Sequence, residues 1–124
     1  MPWKKRVGIP HITRNTIEVD AAGKPVGRLA SKIAMILMGK HRANYTPSAD
    51  MGDRVVVKNA TQVVFTGKKW DQKVYYRTSN RPGGLKTKQV KDTSPEDIIR
   101  HAVKYMLPKN KTQILRMKRL TFVK

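Results

Sequence analysis

Residues 39–59 read GKHRANYTPSADMGDRVVVKN, and the fold is read outward from them. Gly39 follows an apolar helical pattern and is suited to the left-handed position that ends a helix. Lys40, His41 and Arg42 come directly after it, near the negative end of the helix dipole, so the chain presents a cationic corner there. Tyr45, Thr46 and Pro47 stiffen the exit, because Pro47 fixes its own φ and pushes Thr46 toward extended geometry. Val55, Val56 and Val57, bounded by Arg54 and Lys58, then form a short apolar run. Such a run suits a strand buried on both faces, as in a sheet covered by helices. Core and cationic loop thus lie a few residues apart, which is the plan of a rigid scaffold that aims charge at a partner.

Upstream, Thr16–Asp20 alternates its apolar positions and predicts a first strand. AAGK at Ala21–Lys24 turns the chain, and Arg28–Met38 predicts a helix. Leu29, Ile33, Ile36 and Leu37 share one stripe of it, with Ala30 and Ala34 alongside and Met35 and Met38 placed to extend the face. Met1–Arg14 carries Lys4, Lys5, Arg6 and Arg14 without an acid and is broken by Pro2, Gly8 and Pro10, so it reads as a basic arm. Its prolines and lack of serine argue against a mitochondrial presequence, which is helical and serine-rich.

Downstream, Val63–Thr66 is expected as a short strand and Lys73–Thr78 as another. Ser79–Lys91 is expected as a Gly/Pro/basic loop. From Lys68 to Lys91 there are eight Lys or Arg and one acid, Asp71, with too few apolar residues for a packed core. Ser94 is set to cap a second helix, with Pro95 at its first position and Glu96 and Asp97 at the positive end of its dipole. Ile98, Ile99, Ala102, Val103 and Met106 make its buried stripe, and Pro108 ends it. Lys109–Lys124 holds six Lys or Arg and no acid, and its apolar residues suit a short helix followed by a strand. The expected division is an arm over 1–14, an α/β core over 15–110 with a basic loop at 67–91, and a basic tail over 111–124. The expected fold is a three-layer α/β/α arrangement around a central, mostly parallel or mixed sheet of about four strands.

Composition narrows the partner. The 124 residues suit one domain. With 27 Lys and Arg against 8 Asp and Glu, the net charge is +19. Small soluble domains are comfortable at a net charge of about 2 to 8, so this excess calls for a polyanion. Nucleic acid fits best, since an anionic membrane would want a long basic amphipathic helix, and no apolar run reaches the ~18 residues of a membrane span. The absence of cysteine agrees with a reducing compartment.

Catalytic and metal chemistry find no support. Gly67-Lys68 lacks the earlier glycine and the following Ser or Thr of a phosphate loop, since Gln62 and Lys69 stand there. Asp50 and Asp53 are read as turn residues bonding their own backbone rather than paired carboxylates. His11, His41 and His101 have no ligand spacing, and His41 is read as facing phosphate. No cofactor is expected. Basic loops with interleaved aromatics are instead what RNA surfaces need, with Lys and Arg on phosphates and aromatic planes on unpaired bases. Trp70 is read as a partner contact in so polar a stretch, and one of Tyr75 and Tyr76 as core, because successive strand residues face opposite ways. Gly83-Gly84 would let backbone approach a ligand or another chain closely.

Seven segments in order carry a closer resemblance: VDAAGKPVGRLAS at Val19–Ser31, GKHRANYTP at Gly39–Pro47, GDRVVVKNA at Gly52–Ala60, TGKK at Thr66–Lys69, KVYYR at Lys73–Arg77, PGGLK at Pro82–Lys86 and AVKYMLPKN at Ala102–Asn110. The chain resembles the bacterial-type large-subunit ribosomal protein L13 (uL13) family. That resemblance implies a non-enzymatic α/β protein of the ribosome that binds large-subunit rRNA and acts early in subunit assembly. Carried over by position, it implies RNA contacts at Lys40, His41, Arg42, Tyr45, Lys68, Lys69, Lys73, Arg77, Gly83, Gly84, Lys86 and Lys109. The same expected surface takes in Lys24, Arg28, Lys58, Trp70, Arg81, Lys88, Lys111, Arg116, Lys118 and Arg119. Ser48, Thr78–Arg81 and Lys111–Ile114 depart from the family's usual pattern.

The implied partners are rRNA and neighbouring large-subunit proteins, with no membrane and no homo-oligomer. The implied place is the cytoplasmic ribosome, with a mitochondrial or plastid ribosome as the alternative. Lys40→Ala and Arg42→Ala are each expected to weaken RNA binding and leave the fold intact. The rivals are a free-standing RNA- or DNA-binding regulator and an RNA-modifying enzyme. The first would show a pool off the ribosome, and the second would need an acidic or metal site.

Overall fold

The computed structural model describes residues 12–123. Three strands make the main sheet: β1 (Thr16–Asp20), β2 (Arg54–Lys58) and β5 (Leu120–Phe122), in the order β1-β2-β5 and all parallel. Parallel neighbours need crossover connections, and α1 (Val26–Met38) supplies the one between β1 and β2. The register puts Ile17 and Val19 beside Val55 and Val57, and those beside Leu120 and Phe122. One face of the sheet is therefore wholly apolar. Leu29, Ala30, Ile33, Ala34 and Leu37 of α1 pack on it, with Ile99 and Val103 of α3 (Pro95–Met106). Burying each Val, Leu or Ile side chain contributes about 1.5–3 kcal/mol, so this layer contact holds the fold.

The first strand, the central strand and both long helices fall where the sequence places them. Ser94 caps α3 by accepting the Asp97 N–H at 3.3 Å. Gly39 ends α1 in the left-handed region at φ +85°, and Met38 is buried while Met35 is exposed. The segment expected as a tail folds as α4 (Thr112–Lys118) and β5, the predicted helix followed by a strand, and β5 completes the sheet.

Several details differ. The sheet has three strands rather than about four, because Val63–Thr66 makes only a single bridge between Val64 and Pro25. The chain turns into α1 directly after that proline, so the ladder cannot extend. The other face of β2 is not sealed: Val56 is half-buried, and Glu18, Lys58 and Thr121 beside it are exposed. The Ser79–Lys91 loop contains strand β4 (Leu85–Gln89), antiparallel to β3 (Val74–Thr78). This hairpin is separate from the sheet. It is tethered through wholly buried Val90 and half-buried Tyr75, which join a second cluster with Val26 and Ile98. Tyr75 is thus the inward tyrosine and Tyr76, 68% exposed, the outward one.

Candidate nucleic-acid interface

The cationic corner after α1 is anchored rather than free. Asp53, only 1% exposed, accepts hydrogen bonds from Arg42 and, at 2.9 Å, from the Asn15 N–H. The His41 Nε2 lies 2.6 Å from its other oxygen. Asp50 is held in the same way. Arg119 grips both of its carboxylate oxygens, at 2.7 and 2.8 Å, Arg116 approaches at 3.4 Å, and Arg14 lies 3.6 Å away. Burial pushes both carboxyls up, but the hydrogen bonds and positive charges of these partners outweigh it and hold both below the usual carboxylate range. The two aspartates are therefore ion-pair hubs, not residues bonding their own turn. They lock the loop onto the starts of β1, β2 and β5.

Gly52 sits at the centre of this lock. A Cβ there would lie 1.7 Å from the Leu37 carbonyl oxygen and 2.9 Å from the Arg119 guanidinium. Only glycine lets the loop pass so close under the end of α1.

This geometry separates the expected RNA contacts into two groups. Arg116 is 3% exposed and Arg119 mostly buried, both turned onto Asp50, so neither presents its charge outward. Arg42 points to Asp53 and the Thr13 carbonyl, and its substitution would disturb the fold, contrary to the expectation from sequence. His41 is committed to Asp53, while Tyr45 is half-buried. Lys58 is exposed but pairs with Glu18 at 2.6 Å.

The other cations are presented. Lys24, Arg28, Lys40, Lys68, Lys69, Lys73, Lys109, Lys111 and Lys118 are exposed, and on the hairpin so are Arg77, Arg81, Lys86 and Lys88. At the hairpin tip Gly83 takes φ +73°, and the Gly84 N–H bonds the Arg81 carbonyl at 3.0 Å. A Cβ on Gly84 would lie 2.0 Å from the Ser79 hydroxyl. Gly84 thus closes the hairpin's own turn, while Gly83 faces open space.

Aromatic side chains gather beside the hairpin base. Trp70, on the short helix α2 (Lys69–Gln72), is 44% exposed, and its ring centroid lies 6.0 Å from that of Phe65. Tyr75, His101 and Tyr105 pack in series with ring centroids 4.3 and 4.7 Å apart, tilted to one another by 53° and 48°. Lys73 lies 5.7 Å from the Phe65 ring and 5.6 Å from that of Tyr75. The sequence gives Phe65 and Tyr105 no assigned role and His101 only a rejected one as a metal ligand. The signal was the i, i+4 spacing of His101 and Tyr105 on the polar side of α3, which puts the two rings over one another. Among the described residues no group of acids and histidines could hold a metal, and no helix is long and apolar enough to cross a membrane.

Comparison with known proteins agrees with this picture. A family profile described as Ribosomal protein L13 matches residues 14–124. The Large ribosomal subunit protein uL13 of Thermotoga petrophila is 55% identical over 112 residues, spanning 88% of this chain and 75% of that protein. The protein of that name from Caldanaerobacter subterraneus subsp. tengcongensis is 54% identical over 112 residues, with 88% and 78% covered. That of Trichormus variabilis is 55% identical over 102 residues, with 80% and 68% covered. These relatives carry the names of ribosomal proteins, not of enzymes. The matched stretch runs from Arg14, the first arginine of the Asp50 lock, through the hairpin to the end of β5, and the chain belongs to the ribosomal protein L13 family.

Proposed function

We propose that this protein is a structural constituent of the large ribosomal subunit, where it binds large-subunit rRNA through its basic loops and assists early subunit assembly. The observation that carries the reading is the division of its cations. Arg42, Arg116 and Arg119 are spent on Asp50 and Asp53, whereas Arg77, Arg81, Lys86 and Lys88 stand exposed on a hairpin with little apolar contact of its own. The Asp50 and Asp53 lock keeps the scaffold compact despite a net charge of +19, and the hairpin and loops meet phosphates and screen their mutual repulsion. Lys24, Arg28, Lys40, Lys68, Lys69 and Lys109 extend that surface. Neighbouring large-subunit proteins are the other expected partners. The bacterial-type relatives favour a cytoplasmic ribosome, with an organellar one as the alternative.

Fractionation of a lysate on a sucrose gradient at moderate salt tests this. The protein is expected to sediment with the large subunit and the whole ribosome. A substantial pool at the top of the gradient, in cells without assembly defects, would overturn the reading and favour a free regulator.

A further inference from the structure

Beside the hairpin base lies a cavity of about 310 Å³ whose lining includes Gly27 of α1, Phe65, Lys69, Lys73, His101 and Tyr105. We propose that it is a stacking site for one unpaired RNA base, with Phe65 and Tyr105 as its aromatic walls and Lys69, Lys73 and Lys109 taking the flanking phosphates. The proposal rests on the RNA-binding reading above and adds a base-stacking subsite to it.

Four observations carry it. The volume is at the small end of ligand cavities, right for a single planar group and too small for a helix or strand of another protein. No carboxylate lines it, so an anionic ligand meets no repulsion there. Tyr105 is 62% exposed yet held by the His101 ring at 4.7 Å, which in turn rests on Tyr75. Its plane is therefore set in advance, and binding need not order it. Finally, the Lys109 ammonium lies 5.9 Å from the Tyr105 ring and Lys73 5.7 Å from Phe65, which puts positive charge beside each wall. Burial, helped by Lys73 and Lys104, holds the His101 imidazole below its ordinary range, so it stays neutral at neutral pH. The tilted Tyr75, His101 and Tyr105 rings then brace an exposed aromatic face edged by lysines, the combination by which single-stranded nucleic acid is gripped without sequence readout. A paired base could not enter, because its faces are already stacked in the helix.

Trp70 provides the readout, since its ring adjoins Phe65. In a Trp3→Phe background it is the one remaining tryptophan. The full chain is titrated with a short single-stranded adenine RNA, with an RNA duplex of equal length, and with adenosine monophosphate. The single strand is expected to quench Trp70 more strongly than the duplex. Tyr105→Leu, at an exposed position, is expected to weaken single-strand binding about tenfold while leaving duplex binding, salt dependence and melting temperature unchanged. Phe65→Leu should weaken single-strand binding too, with some loss of melting temperature because Phe65 also packs on the Val26, Val90 and Ile98 cluster, and Phe65→Tyr, which keeps the ring, should bind as the parent does.

Equal single-strand affinity for Tyr105→Leu and parent would overturn the stacking site while leaving RNA binding in place. Saturation by the monophosphate at the affinity of the oligonucleotide would overturn it too, in favour of a free-nucleotide site. If the parent binds neither RNA, the broader RNA-binding reading fails together with the site.

Discussion

Replacing Asp53 by asparagine removes one negative charge from the start of the sheet while keeping the side chain's size and one acceptor for the Asn15 N–H. In the native protein the carboxylate is 1% exposed, is gripped by Arg42 and lies 2.6 Å from His41. Unpairing one partner of such a buried pair costs about 3–5 kcal/mol, because the remaining charge stays desolvated. Arg42 keeps its bond to the Thr13 carbonyl, and asparagine keeps the Asn15 bond, so the expected loss is about 2–3 kcal/mol. Asp53→Ala, which loses the Asn15 bond as well, should reach the full ~3–5 kcal/mol. Against a total stability on the order of 5–15 kcal/mol this is a large fraction. Thermal unfolding of the free protein should show it as a drop in Tm of roughly 8–12 °C for the asparagine variant. Arg42→Ala should be destabilising too, and the double variant should show a coupling of at least about 1 kcal/mol. A Tm within a degree or two of the parent for Asp53→Asn, or full additivity with Arg42→Ala, would refute the claim that this pair locks the loop.

Acid should abolish the same interaction. The folded carboxyl lies below its unfolded value, so its contribution is fully present above the unfolded pKa of about 3.9 and is lost as pH falls through the folded value. The stability gap between parent and Asp53→Asn, measured by urea unfolding, should therefore be constant above about pH 5 and close below about pH 4; a gap that persists at low pH would contradict the assignment. Gly52→Ala would put a methyl group 1.7 Å from the Leu37 oxygen, so the loop must lift from α1, at a cost of about 3 kcal/mol or more in the same assay. Ser94→Ala removes the cap of α3 and should cost about 1 kcal/mol with no effect on RNA affinity.

What could be read from the sequence was local. The limits of β1 and β2, the glycine end of α1 and the serine cap of α3 each depend on a few neighbouring side chains, and each is where the sequence places it. The misreadings concern side chains whose partners are far away in the chain. Asp50 looks like a turn residue until β5 brings Arg119, 69 positions on, against it. Arg116 looks like one more basic tail residue until α4 folds it inward. Val63–Thr66 has strand composition, but its partner at Pro25 turns at once into α1, so only one bridge forms. The cationic surface was legible as composition, whereas the allocation of each cation to scaffold or surface required the fold. The aromatic cavity was hidden because Gly27, Phe65 and Tyr105 come from three separate segments.

The hairpin cations, not the locked arginines, are expected to engage RNA. The most direct test is the salt dependence of binding to large-subunit rRNA for a variant with Arg77, Arg81, Lys86 and Lys88 all replaced by glutamine. With each lost phosphate contact worth about 0.7–0.9 in the slope of log affinity against log salt, the slope should fall by about three while the melting temperature stays at the parent's value. A slope equal to the parent's would contradict the account, because the hairpin's exposed charges would then be meeting no phosphate.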